Sequence, residues 1–304
     1  MRSTSSFVLF LLIISGIIFS CSPDKKSNRQ EEEKLNPVVA VVNYPLYSFA
    51  NMIGGDKIEV YFPEIEGDPA YWQPDEASIE KYQNADLILL NGADYAKWIS
   101  MVSLPASTQV NTSKAFSNRL IEVKGEAHSH GPEGQHSHTG YAFTTWLDMK
   151  NAALHAEAVK DALVDLIPEE NDFFNTNYIK VLDGLNKIDS ELTEILDAKE
   201  DLEVFASHPV YQYLAKGYNI SIISYHWEPD QMPFEESWEE FENELDHHAA
   251  RAMLWEDEPL PEIRKKLEDM GVKVIVFNPG GNRNQLDFIS LMARNVENLK
   301  EGLN

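Results

Sequence analysis

Four histidines lie close together near the middle of the chain. They form two His-x-His pairs, His128 with His130 and His136 with His138, in a segment (122–140) that is rich in Gly, Ser and Glu and has no apolar period. The free imidazole has a pKa near 6.5, so at neutral pH these nitrogens are able to bind a transition metal. The segment therefore predicts a mobile surface loop with a weak secondary metal site; a merely solvated loop is the alternative.

A single cysteine follows an apolar segment at the start of the chain. Arg2 precedes the apolar run 7–19, which has the length of a secretion signal and is shorter than the roughly 20 residues of a membrane-spanning helix. Ile18-Phe19-Ser20-Cys21 matches a lipobox, and because Cys21 is the only cysteine, no internal disulfide can form. We predict a lipoprotein signal peptide at 1–20, a lipid on Cys21 and a flexible tether at 21–36. The predicted location is on a membrane, facing the periplasm or the cell exterior; an ordinary cleaved signal is the alternative.

The charge balance limits the classes of partner. The chain has 50 acidic and 25 basic residues, which gives a formal net charge of −25. Nucleic acids and anionic lipid surfaces bind basic patches, so we exclude nucleic acid and expect membrane contact only through the lipid anchor. The sequence has no Gly-x-Ser-x-Gly and no His-Glu-x-x-His motif. We therefore expect a binding protein and not an enzyme, with an exported hydrolase as the weakest alternative.

Apolar periodicity predicts the elements that hold these residues. Both halves of the mature chain alternate short apolar runs with helical segments, as in parallel sheets flanked by helices. The predicted strands are the runs 38–42, 58–62 and 87–90 in the first half and 203–206, 220–224, 252–255 and 272–277 in the second. Between the halves, apolar residues recur at steps of 4 and 3 over about six turns of one helix. We predict an α/β fold of two lobes joined by a long spanning helix: an N-terminal lobe at 37–167, the linking helix at 168–198 and a C-terminal lobe at 199–304.

The positions of three further histidines do not indicate a metal site. His155 is predicted to lie on the surface of a helix. His247 and His248 are adjacent on a predicted helix. Neighbouring helical residues point about 100° apart, so these two cannot hold one ion together.

Several segments, in order, resemble one family of proteins. The segments are an opening strand and helix (41–50), the loop Gly67-Asp68-Pro69-Ala70-Tyr71-Trp72-Gln73-Pro74, the strand 85–92, Trp146-Leu147-Asp148, the stretch 208–218 and the closing helix 292–299. Together with the two lobes, the lipobox and the histidine segment, they resemble the metal-specific substrate-binding lipoproteins of zinc and manganese ABC importers. The resemblance implies two α/β lobes with a ligand cleft between them, and an ABC permease with its ATPase as partners.

The resemblance also implies four metal-ligand positions. The family has histidine at the positions of Ala70 and Thr144, His or Glu at His208, and aspartate at Asn278. Only His208 keeps a family ligand. Zinc prefers about four nitrogen, sulfur or anionic oxygen ligands, which Ala70, Thr144 and neutral Asn278 do not supply.

Other residues could compensate for the altered positions. Nearby acids and histidines could replace the missing ligands, and the candidates are Asp68, Asp148, His226 and Glu228. Alternatively, Tyr71 and Trp72 could form an aromatic wall that suits a small organic ligand or a metal chelate. The other interpretation of these two rings is that they belong to the core.

The sequence thus favours an exported binding lipoprotein of a zinc-type ABC importer, which captures its ligand between two lobes and passes it to a permease. The first alternative is a family member that has lost the cleft ion. Such a protein would bind an organic ligand or chelate, or would buffer metal through its histidine loop.

Overall fold

The computed structural model describes residues 36–65, 67, 69–123, 127–129, 135–137, 140–199 and 201–304. The predicted signal peptide, Cys21 and almost all of the tether lie outside the described residues, as do Asp68, His130 and His138. The described residues form parallel sheets flanked by helices, which confirms the predicted fold class.

Four parallel strands form the first sheet. They are β1 (Val38–Val41), β2 (Glu59–Tyr61), β3 (Leu87–Leu90) and β4 (Gln109–Asn111), in the spatial order β2-β1-β3-β4. The central strands β1 and β3 are almost entirely apolar because both faces of a parallel sheet are covered by helices or loops. The sequence pattern predicted three of these strands but not β4.

The second sheet repeats the arrangement of the first. Its strands are β9 (Glu203–Ala206), β10 (Ser221–Ser224), β11 (Ala252–Trp255) and β12 (Lys273–Val276), in the order β10-β9-β11-β12. All of its neighbouring strands are parallel. In each sheet the second strand in sequence lies outside the first, so the two halves share a strand order although their sequences show no aligned repeat.

Eight α-helices flank or connect the sheets in the described part of the chain. They are α1 (Tyr44–Gly54), α2 (Glu76–Gln83), α3 (Met149–Leu166), α4 (Asn171–Asp197), α5 (Gln212–Gly217), α6 (Glu235–His247), α7 (Pro261–Asp269) and α8 (Phe288–Leu303). None of the helices in the described ranges combines the length and the hydropathy of a membrane span.

The long helix α4 occupies the place predicted for a spanning helix. Its 27 residues correspond to roughly 40 Å at 1.5 Å per residue. Its predicted apolar stripe is largely buried, including Val181, Leu185, Ile188 and Leu192. One buried cluster contains this stripe together with residues of both sheets, such as Val39 and Val204. The assignment of lobe boundaries on either side of α4 stays a prediction.

A segment after β12 connects the second sheet to the first. This connecting segment (279–287) accepts a hydrogen bond at Gly281 O from the backbone N–H of Tyr44 (3.2 Å). Asn282 Nδ2 donates to Ile65 O (2.9 Å) and to Gly67 O (3.2 Å). The Arg283 guanidinium lies 4.7 Å from the ring centroid of Tyr47. The segment therefore contacts α1 and the residues Ile65 and Gly67, which follow β2.

The prediction that His155 lies on the surface was wrong. Its side chain in α3 is only 1% exposed. The hydroxyl of Thr112 lies 2.7 Å from Nδ1, and the hydroxyl of Thr145 lies 2.8 Å from Nε2. Burial lowers the pKa of His155 to about 3, so the ring is neutral at physiological pH and joins three chain segments as a structural group.

The histidine segment contains strands that were not predicted. Strands β5 (Glu122–Val123) and β8 (Gly140–Tyr141) pair antiparallel, and between them β6 (Ala127–Ser129) pairs antiparallel with β7 (Gln135–Ser137). His128 and His136 occupy opposite positions in the β6–β7 register. The described part of the segment therefore contains two short antiparallel strand pairs.

Candidate metal centre

Polar residues follow every strand of the second sheet at its carboxyl end. His208 comes soon after β9, His226 after β10, Glu256 directly after β11, and Asn278 soon after β12. The carboxyl ends of parallel strands meet at one edge of a sheet, and ligands of α/β proteins commonly bind there. The strand order therefore brings together residues that are far apart in the sequence.

His208 lies at the centre of this group. Its Nδ1 is 3.2 Å from Glu256 Oε1 and 3.9 Å from Glu228 Oε1. The ring of His226 crosses that of His208 almost perpendicularly, with 5.4 Å between the ring centroids. The His208 side chain is 17% exposed, whereas those of Glu256 and Glu228 are 32% and 39% exposed. An imidazole and two carboxylates thus share one partly open site.

Asn278 has a structural role in the turn that follows β12. Its side-chain oxygen accepts a hydrogen bond from Gly280 N (2.8 Å), and its backbone exchanges hydrogen bonds with the side chain of Asn295 in α8 (3.0 and 2.7 Å). Gly280 has φ +70°, a conformation that favours glycine. The Asn278 amide oxygen is therefore already used in fixing the turn.

Thr144 and Ala70 are buried, each with 4% exposure. The Thr144 hydroxyl donates to the carbonyl oxygen of Val210 (2.5 Å), two residues beyond His208. Nearby, Trp146 Nε1 donates to Pro279 O (2.7 Å), next to Asn278. The segment 144–146 therefore contacts the loops that carry His208 and Asn278, so these three family positions lie in one region. Ala70 offers no side-chain donor.

The two aromatic residues of the first ligand loop pack against other rings. Tyr71 makes an edge-on contact with Phe143 (6.2 Å between centroids), and Trp72 makes one with Trp98 (5.8 Å). Both side chains are partly buried against the main apolar cluster. These contacts favour the interpretation that the rings belong to the core.

Asp148 caps a helix. It is the N-cap residue of α3, and its Oδ1 accepts a hydrogen bond from Lys150 N (2.9 Å). Burial raises the pKa of this carboxyl group, and the backbone hydrogen bonds at the cap oppose that shift. The structure thus gives Asp148 a structural role at the start of α3.

In the described ranges, no three His, Cys, Asp or Glu side chains are placed so that they could hold a metal ion in their present conformations. Of the candidates predicted from the sequence, His208, His226 and Glu228 come together. Glu256 was not predicted, although the pattern held a signal for it: it is the first polar residue after the apolar strand β11.

Comparisons with known proteins find lipoproteins of similar sequence. Over 308 residues the chain is 24% identical to the zinc-binding lipoprotein AdcA of Streptococcus pneumoniae, covering 97% of this chain but 60% of that protein. It is also 24% identical to the manganese ABC transporter substrate-binding lipoprotein PsaA of the same species, covering 75% of this chain and 72% of the relative. The chain thus spans about three fifths of the length of AdcA.

The fold is shared with solved structures. The metal-dependent lipoprotein YcdH of Bacillus subtilis superposes with a TM-score of 0.74 at 21% identity, covering 88% of this chain and 99% of that one. The Zn(II)-bound ZnuA-like domain of S. pneumoniae AdcA gives the same TM-score at 18% identity, covering 88% of this chain and 98% of that one. A family model described as zinc-uptake complex component A, periplasmic (ZnuA), matches residues 39–302. The chain therefore belongs to the ZnuA family.

Proposed function

We propose that the chain is the exported substrate-binding lipoprotein of a zinc-type ABC importer. In this role it captures a metal ion near His208 and passes it to a permease that works with an ATPase, without catalysing a reaction itself. Membership of the ZnuA family supports the proposal. The observation that carries it is the position of His208 between two carboxylates at the edge of a parallel sheet, where the chain keeps the one family ligand.

Metal uptake by cells tests the delivery role. Deleting the gene should lower the zinc content of cells grown with limiting zinc, and added zinc should restore growth. The wild-type chain should restore zinc uptake in the deletion strain, whereas a His208→Ala chain should not. Equal zinc content in the deletion strain and its parent would contradict the proposal.

The alternative function, in which the cleft has lost its ion, also has support in the structure. Three of the four family positions hold Ala70, Thr144 and Asn278, and the two polar ones already make internal hydrogen bonds. An open groove of about 950 Å³ lies beside β10, with Glu203, Lys216 and Ile222 in its lining. This volume falls in the range of small-molecule sites. Neither the two rings, Tyr71 and Trp72, nor the four family positions line the groove, so it supports a small ligand beside β10 and not in the cleft.

The histidine segment should bind zinc weakly and independently of His208. Deleting residues 127–139 should remove a weak class of zinc sites in calorimetry. Because β6 and β7 pair only with each other in the described sheets, the free energy of unfolding should change by less than about 0.5 kcal/mol. A matched variant with all four segment histidines changed to asparagine should lose the same sites at unchanged length. A large loss of stability on deletion would show that the segment packs against the rest of the protein.

The proposed anchor is the lipid on Cys21. A Cys21→Ser chain cannot be acylated, so it should leave the membrane fraction and be found as soluble or unprocessed protein. Fractionation followed by immunoblotting measures this, with a Ser22→Ala chain as the control that keeps the cysteine. The same membrane fraction for Cys21→Ser and wild type would contradict the lipobox assignment.

A further inference from the structure

We propose that the metal ion binds between His208, Glu228 and Glu256, with His226 as a fourth donor. This site lies at the carboxyl edge of the second sheet and does not use Ala70, Thr144 or Asn278. The inference rests on the proposed function and deepens it, because it names the side chains that replace the altered family ligands.

The spacing of the donor atoms is the first argument. In a tetrahedral zinc site with bonds of 2.0–2.1 Å, neighbouring donor atoms lie about 3.4 Å apart. The distance from His208 Nδ1 to Glu256 Oε1 is 3.2 Å, and that to Glu228 Oε1 is 3.9 Å. One of these donor–donor distances is slightly shorter, and the other slightly longer, than the distance between two ligands of one zinc ion.

Charge is the second argument. Zinc is a dication, and a carboxylate from each of Glu228 and Glu256 would neutralise it. His208 and His226 would add imidazole nitrogens, which completes a set of four ligands of the types that zinc prefers. Asn278 would supply no charge, and its side-chain oxygen already accepts a hydrogen bond from Gly280.

The site has to close on the ion. In the described conformation, no three such side chains could hold an ion together, so at least one donor must turn inward. Glu228 is the most exposed of the three residues that make the measured contacts (39%), and His226 is also exposed. Exposed side chains change rotamer on the picosecond to nanosecond timescale, so this closure needs no movement of the sheet.

Calorimetric titration with zinc chloride tests the inference in the full mature chain. The background carries asparagine at all four segment histidines, so that only the proposed site is measured. Glu256→Gln, Glu228→Gln and His226→Gln should each weaken zinc binding about tenfold or more, since even residues that only support a ligand cost 10–100-fold. Asp257→Asn and His247→Gln are the matched controls for charge and for imidazole, and they should leave the dissociation constant unchanged. Thermal unfolding without metal should show that all variants fold.

Each outcome decides between the two proposals. The proposed site is supported if Glu256→Gln and Glu228→Gln weaken zinc binding and Asp257→Asn does not. Zinc binding that is unchanged by both glutamate variants overturns the site and leaves the proposed function standing. No zinc binding by the background protein overturns the site, while the zinc content of the deletion strain still tests the function separately.

Discussion

Changing Ala70 and Thr144 to histidine and Asn278 to aspartate in one chain should raise the affinity for zinc by about a thousandfold. The triple variant adds two imidazoles and one carboxylate to His208, which gives the family's four ligands. Three decades of affinity correspond to roughly 4 kcal/mol. Calorimetry measures the gain in a background that lacks the segment histidines and carries Glu228→Gln and Glu256→Gln. These two changes remove the site proposed above, so the parent of the comparison is expected to bind zinc in the micromolar range or more weakly.

The structure indicates which of the three changes is easiest to accommodate. An aspartate at 278 keeps an oxygen that can accept the hydrogen bond of Gly280 N, so Asn278→Asp should fold normally. Thr144→His removes the hydrogen bond to Val210 O and needs space in a buried position. A Tyr141→His chain, which adds an exposed imidazole elsewhere, is the control. A folded triple variant with the affinity of the parent would show that the four positions do not converge as the family resemblance implies.

The second large effect concerns stability. Trp146 is 1% exposed, and its Nε1 donates to Pro279 O. Trp146→Ala should lower the free energy of unfolding by about 3–5 kcal/mol, because it leaves a cavity and removes a hydrogen bond between the segment before α3 and the segment after β12. Urea denaturation followed by circular dichroism measures the change.

Two further variants help to separate the contribution of the buried Trp146 ring to stability from that of its hydrogen bond. Trp146→Phe keeps most of the ring but loses the indole N–H, so it should cost less than Trp146→Ala. Trp72→Ala removes a tryptophan that is only partly buried, and it should also cost less. If Trp72→Ala were as costly as Trp146→Ala, the connection through Pro279 would not be a main source of stability.

The sequence predicted most of the strands because parallel sheets need apolar runs. Leu87–Leu90, Glu203–Ala206 and Ala252–Trp255 have the predicted bounds. The edge strand Gln109–Asn111 was missed because its short sequence, Gln-Val-Asn, has no apolar period, and only pairing with β3 makes it a strand. The burial of His155 was missed because its partners, Thr112 and Thr145, come from other segments.

The candidate site could be predicted only in part. The family resemblance identified His208, and the list of nearby acids and histidines included His226 and Glu228. Glu256 was missed because it is one of 50 acidic residues, and its proximity to His208 depends on β9 and β11 being neighbours in the sheet. Strand order depends on contacts between distant residues, which local patterns do not record.

The connecting segment 279–287 has a kinetic consequence. Its residues Asn282 and Arg283 donate hydrogen bonds to the carbonyl oxygens of Phe62, Ile65 and Gly67, so the two segments can separate only when those contacts break. A hydrogen bond of this kind contributes about 0.5–1.5 kcal/mol, and each 1.4 kcal/mol changes an equilibrium about tenfold. The rate at which these two segments separate would then be set by a few local hydrogen bonds.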